Sequence, residues 1–178
     1  MDDIGVRLIH LNKTFAGSGG AKDKVAVGDL SLGINKNECF GLLGANGAGK
    51  TTAISMLCGM HQPTHGAGYL GLKHVHEESD DVHAMMGVCP QDNTLWGCLT
   101  AREHLTFFGM LKGLRGRRLR RAVADALRSV RLTSAANKRA GSYSGGMQRR
   151  LSVANALIGA PKFVMLDEPS TGLDPASK

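Results

Sequence analysis

The chain has 178 residues, enough for one buried core, and its 42% hydrophobic and 21% charged residues exclude a disordered or low-complexity protein. A net charge of +7 and a pI near 9.5 admit nucleic acid, anionic lipid or a polyanionic ligand without selecting among them. Four cysteines, Cys39, Cys58, Cys89 and Cys98, lack C-x-x-C spacing and fit reduced thiols in a cytosolic compartment. No apolar run approaches the ~18–20 residues that cross a bilayer, and Met1-Asp2-Asp3 opens no signal peptide.

Taken in chain order, Val6–Leu11 and then Leu30, Leu32 and Ile34 read as strands, the latter alternating with small or polar residues. The Gly/Ser/Lys-rich stretch from Ala16 to Lys24 between them reads as a mobile loop. Cys39 to Leu43 is a short apolar run, predicting a strand buried on both faces of a parallel sheet. A helix is predicted from Lys50, with Ile54, Leu57 and Cys58 on one face and Gly59 near its end. Thr100 followed by Glu103 is a capping-box pattern, opening a helix that buries Leu105, Phe108 and Leu111 and stops near Gly113. Leu119, Val123, Ala126, Leu127 and Val130 recur at helical spacing. The basic run Arg115–Arg121 then reads as the solvated face of that helix, although an anion patch is the other reading. A further helix is predicted from Ser144 to Gly159, before Pro161, and Phe163–Leu166 as a second buried parallel strand. The predicted architecture is an α/β core interrupted by a helical insertion.

Gly44, Ala45, Asn46, Gly47, Ala48, Gly49, Lys50 and Thr51 fit G-x-x-x-x-G-K-[ST] between a predicted strand and a predicted helix. Glycines let the backbone aim several N–H groups at phosphate oxygens, and the helix N-terminus adds partial positive charge. Lys50 would meet the β/γ-phosphates, and the Thr51 hydroxyl would ligate Mg²⁺. Asp167 stands at the carboxyl end of a predicted strand, where a carboxylate can hold the metal's shell. Pro169 disfavours helical geometry at Glu168, predicting that this carboxylate leaves in an extended segment to orient or deprotonate a water. Ser144, Gly145 and Gly146 at a helix start would make a second anion site. Two such sites in one small domain point to a second copy of it.

The ordered segments GANGAGKTT (44–52), Gln91 in CPQDN, SGGMQRR (144–150), FVMLDEP (163–169) and STGLDP (170–175) resemble the ATP-binding cassette of ABC transporters. They look like its Walker A, Q-loop, signature, Walker B and D-loop, and the match covers nearly the whole chain. ECFGLLGANGAGKTT, GVCPQDNTLWGCLTAREHLTFF and YSGGMQRRLSVANALIG look most like subfamily A, whose members mostly move lipids. The resemblance implies a P-loop NTPase core with a mostly parallel sheet and an N-terminal antiparallel β subdomain (residues 1–90 and 160–178). It also implies an inserted helical subdomain (91–159) that carries the signature.

The resemblance further implies ATP and Mg²⁺ as ligands, with Thr52 completing the nucleotide contacts of the phosphate loop. Phe15 would stack on adenine, with a place in the β core as its other reading. Gln91 would sense the γ-phosphate or Mg²⁺, Glu168 and Lys50 would be catalytic, and Asp174 would reach across a dimer interface. Met147 stands where many cassettes have glutamine. The chain ends soon after the D-loop, and none of its seven histidines takes the place of the family's switch histidine, so a fragment or a shortened gene model is expected. The implied partners are a second cassette, transmembrane domains on whose cytosolic side this domain sits, and a lipid substrate. A soluble ABC-type ATPase acting on ribosomes or DNA is the alternative, and a truncated module that binds nucleotide without turnover is a third reading. His74, His76 and His83, near Glu77, Glu78, Asp80 and Asp81, fit no common zinc spacing and read as a solvated loop.

Overall fold

A computed structural model describes residues 3–170, which divide after His83 into two compact units. In the first unit, β1 (Ile4–Phe15), β2 (Lys24–Asn35), β3 (His65–Leu70) and β4 (Lys73–His74) form an antiparallel sheet in the order β2-β1-β3-β4. Leu8 pairs with Leu32 and Leu11 with Leu30, so the apolar alternation read from the sequence defines the sheet's inner face. The register slips between Leu8 and Leu11, around a left-handed His10.

The helix α1 (Lys50–Leu57) follows the glycine loop as expected, though it buries Ala53 and Met56 rather than Ile54 and Leu57. Leu57 lies over Gly68 of β3. Two expectations fail in this unit. Residues Cys39–Leu43 form no strand, and Leu43 is 93% exposed. An apolar run becomes a buried strand only through ladder partners on its edges, and among the described residues none pairs with it. The His74–His83 segment is not a solvated loop either. It forms the hairpin strand β4 and the helix α2 (Ser79–Met85), with Val75 and Val82 fully buried. Lys73 binds Glu78 at 2.7 Å and Asp81 at 2.8 Å, and the His83 ring sits 2.9 Å from the Cys58 carbonyl.

The second unit joins a helical cluster to a two-stranded parallel sheet. Strand β5 (Met86–Cys89) pairs with β6 (Phe163–Leu166) in the parallel register Met86↔Phe163 to Cys89↔Leu166, but β6 is not the buried strand expected, since Val164 and Leu166 are exposed on one face. The helices α3 (Ala101–Leu111), α4 (Gly116–Ser129) and α5 (Gly145–Leu157), with short 3₁₀ turns at Thr133–Ala135 and Ala140–Ser142, enclose Leu105, Val123, Leu127, Leu132, Leu151 and Ile158. The α3 capping box is complete, with Thr100 and Glu103 bonded in both directions. Leu111 is 66% exposed rather than buried: six residues beyond Leu105, it has turned about 240° around the helix. The arginines 117, 118, 120 and 121 all lie on the solvated side of α4. Helix α5 lies directly on β5 because Gly87 has no side chain; a Cβ there would stand 1.9 Å from the Ala156 carbonyl oxygen.

Candidate functional site

The phosphate-loop candidate belongs to the first unit. Residues Asn46 and Gly47 form a turn in which the Ala48 N–H donates to the Ala45 carbonyl at 3.1 Å. Gly47 and Gly49 take φ of +81° and +90°. At Gly49 the requirement is absolute, because an added Cβ would lie 2.2 Å from the Ala26 oxygen on β2. Gly49 therefore seats the loop against the sheet and serves as N-cap of α1, which no side chain caps. The first amides of α1 have no partner within the helix and point out of its positive end. The Lys50 ammonium folds back to donate to the carbonyls of Gly44 (2.7 Å) and Ala45 (2.9 Å). Thr51 is exposed in the first helical turn and Thr52 is half-buried behind it. Phe15 ends β1 at 36% exposure, outside the sheet's core. Its ring meets His61 edge-on at 5.5 Å, with the Lys13 ammonium 5.1 Å from its centroid.

The acidic pair and the glutamine belong to the second unit, where parallel pairing brings them together. The Asp167 N–H donates to the Cys89 carbonyl at 2.9 Å, extending the ladder by one step, so Pro90-Gln91 and Asp167-Glu168 leave adjacent strand ends side by side. The Gln91 amide then donates to the Glu168 carboxylate at 3.3 Å. Asp167 is 7% exposed, whereas Glu168 faces solvent. Beneath them Cys89 is fully buried, and that burial pushes its thiol pKa up, leaving it a neutral packing residue.

Glu168 departs from the sequence expectation. Its φ is +45°, a left-handed turn rather than an extended exit. The cause is a residue that carries no local signal in the sequence. Arg149 on α5 is 1% exposed and its guanidinium donates to five main-chain carbonyls. Nη1 reaches Pro90 (2.5 Å) and Gln91 (3.0 Å), Nη2 reaches Asp167 (2.5 Å) and Glu168 (2.8 Å), and Nε reaches Pro169 (3.2 Å). Successive carbonyls of an extended chain point to opposite sides, so three in a row can converge on one cation only where the chain coils. The left-handed Glu168 supplies that coil. In sequence, Arg149 is one of two adjacent arginines after the glycines, and only the tertiary packing of α5 distinguishes it from Arg150.

His104 is likewise silent in the sequence. It is fully buried, accepts the Trp96 N–H at Nε2 (3.0 Å) and donates from Nδ1 to the Thr100 carbonyl (2.8 Å). With the Trp96 ring stacked on it, His104 fixes the segment after Gln91 to α3. Asn93 is held from the other end by the Ser152 hydroxyl at 3.2 Å.

The signature candidates lie where α5 begins. Ser144 is its N-cap, accepting the Met147 N–H at 3.3 Å, and Gly145 and Gly146 form the first turn. Met147 packs against the helical core. Tyr143, just before the cap, is buried and donates its hydroxyl to the Ala135 carbonyl at 2.7 Å. Asp174 lies outside the described residues. No group of three His, Cys, Asp or Glu side chains among the described residues could hold a metal ion by itself.

The chain is 52% identical over 170 residues to ABC transporter A family member 4 of Arabidopsis thaliana, covering 94% of this chain and 18% of that protein. It is 54% identical to A family member 3 of the same plant, with the same coverage. It thus spans about a fifth of the length of the curated relatives it matches. Among solved structures, it is similar to the ATP-binding cassette MJ0796 in a dimeric post-hydrolysis state bound to ADP and Pi. That match has a TM-score of 0.87 at 25% identity, covering 97% of this chain and 77% of that one. A second dimeric structure, of MJ0796 as a bacterial ABC transporter cassette, matches with a TM-score of 0.86 at 26% identity, over the same shares of each chain. Residues 27–171 match the sequence profile described as ABC transporter, and the chain belongs to the ABC transporter family.

Proposed function

We propose that this chain is the ATP-binding and ATP-hydrolysing part of a membrane transporter, and that the transported substrate is a lipid. The observation that carries the hydrolytic reading is the hydrogen bond between Gln91 and Glu168 at the ends of two adjacent parallel strands, beside the buried Asp167. ATP would lie along residues 44–52, with Phe15 against adenine, the loop amides and Lys50 on the phosphates, and Thr51 and Thr52 at the helix start. Thr51, Gln91 and Asp167 would hold Mg²⁺, which would neutralise phosphate charge. Glu168 would orient the attacking water and take its proton as oxygen bonds to the γ-phosphorus. The bond to the β–γ bridging oxygen breaks in that step, and ADP leaves. Ser144, Gly145, Gly146 and Met147 would serve the triphosphate held by a second cassette, as a helix N-terminus with a hydroxyl is suited to do.

Among the described residues no helix is long and apolar enough to cross a membrane, so the spanning segments would be supplied by transmembrane domains, with this part on the cytosolic face. The solved cassette bound to ADP and Pi as a dimer supports both the nucleotide and the second cassette. The test is Glu168→Gln in the full-length protein. Phosphate release should fall by more than about 100-fold while ATP remains bound; hydrolysis at the parental rate would remove Glu168 from the reaction.

A further inference from the structure

The five N–H bonds of one guanidinium are the most that any side chain offers, and at Arg149 each of the five meets a different main-chain oxygen. All five acceptors are neutral. A buried cation is costly unless its donors are satisfied, and carbonyl dipoles aimed at it from two directions meet that need without a carboxylate. The acceptors fall into two groups distant in sequence, 90–91 and 167–169. These are the segments that leave the carboxyl ends of β5 and β6. The second group includes a non-glycine residue with φ +45° immediately before a proline, a conformation disfavoured on both counts. Backbone held in such a shape relaxes when what holds it is removed.

We propose that Arg149 is the positioning residue of the hydrolytic corner: it fixes the backbone from which Gln91, Asp167 and Glu168 project, and so sets turnover rather than nucleotide affinity. The proposal rests on the hydrolytic reading above. Arg149 meets no reacting atom. It acts through Glu168, whose carboxylate moves if the left-handed turn opens, and through Gln91, whose amide would lose its 3.3 Å contact. The phosphate loop belongs to a different unit and receives none of the five bonds, so the grip on the triphosphate is expected to survive.

In the full-length protein, Arg149→Met is expected to lower kcat for ATP hydrolysis about 10- to 100-fold, the scale of an ångström-sized misplacement at a reacting centre. The equilibrium Kd for ATP should stay within about threefold of the parent, the split that separates positioning from general structural damage. Arg149→Lys keeps the charge and three donors; it should fall between the two, and it keeps the test valid where the methionine variant fails to accumulate. Placed on Glu168→Gln, Arg149→Lys should slow single-turnover hydrolysis by a smaller factor than it slows the parent, because part of its effect passes through Glu168. Parallel loss of ATP affinity and kcat would overturn the proposal, as would a fully additive loss on Glu168→Gln. Parental kcat in both Arg149 variants beside a slow Glu168→Gln would overturn it alone. A parent without ATP turnover, or a Glu168→Gln protein at parental rate, would defeat the hydrolytic reading first and this one with it.

Discussion

In the loop from Gly44 to Thr51 every polar group comes from eight consecutive residues, whereas the corner at Glu168 is assembled from partners as much as 77 positions apart. The loop's shape is imposed largely from within, by positive φ at Gly47 and Gly49 and by a lysine long enough to bond the carbonyls five and six residues behind it, with the β2 main chain packed against Gly49. The corner's shape is imposed by parallel pairing of β5 with β6 and by an arginine from a third element. A local device should fail when its own residues change, and an assembled one when a distant residue changes.

The largest effect expected on the local side is from Gly49→Ala. A Cβ at φ +90° costs on the order of 1–3 kcal/mol by conformation alone, and here it would also stand 2.2 Å from a main-chain oxygen that cannot swing away. Affinity for ATP in the full-length protein should fall roughly 100-fold or more, equivalent to about 3 kcal/mol. Isothermal titration checks it, and affinity within a factor of three would mean that the loop is not seated by this glycine. Next in size is Lys50→Ala, which removes the ammonium and its two bonds to the loop. Loss of a charge-assisted contact of this kind should weaken ATP binding about 10- to 100-fold. Equal affinity in the two proteins would break the comparison at its simpler end.

The same division between local and assembled devices separates what is legible in the amino-acid sequence from what is not. The glycine turn before α1, the α3 cap, the helices of the second unit and the strand ends carrying Asp167 are legible because each is coded within a window of about ten residues. Cys39–Leu43 misleads because strand formation depends on ladder partners that an apolar run cannot itself specify. Glu168 misleads because the proline rule expresses only a local preference, and the three bonds from Arg149 to the carbonyls of residues 167, 168 and 169 outweigh it. Arg149 and His104 are invisible for one reason. A polar residue on a helix reads as solvated until the neighbouring elements are placed around it, and both are buried with their donors bonded.

Tyr143 sharpens the comparison at moderate size, since it stands next to Ser144, the N-cap of α5, and is fixed by a side-chain bond eight residues back. Tyr143→Phe removes one of the two donors to the Ala135 carbonyl, which keeps the Lys138 N–H at 2.8 Å, and should cost about 1 kcal/mol in urea unfolding. A loss below about 0.3 kcal/mol would indicate that packing rather than the hydroxyl positions this turn.

The smallest effect is expected at the α3 cap, a local device with no part in nucleotide chemistry. Thr100→Ala removes the oxygen that accepts the Glu103 N–H at 3.2 Å and should cost about 1 kcal/mol in urea unfolding near neutral pH. The cap also carries a pH signature whose sign is set by its donors. The Thr100 backbone N–H, and after it the Thr100 hydroxyl, hold the Glu103 carboxyl pKa below its ordinary 4.5. A carboxyl depressed in the folded state contributes stability that is complete above its unfolded pKa and disappears as pH falls through the folded value. The hydroxyl's share of that contribution is lost in Thr100→Ala. The stability gap between parent and variant should therefore be widest above pH 5 and narrow steadily below about 4.5, as the carboxylate takes up its proton. A gap that holds constant from pH 7 to pH 3 would leave the hydroxyl–carboxylate bond without weight and assign the variant's loss to the Glu103 N–H bond alone.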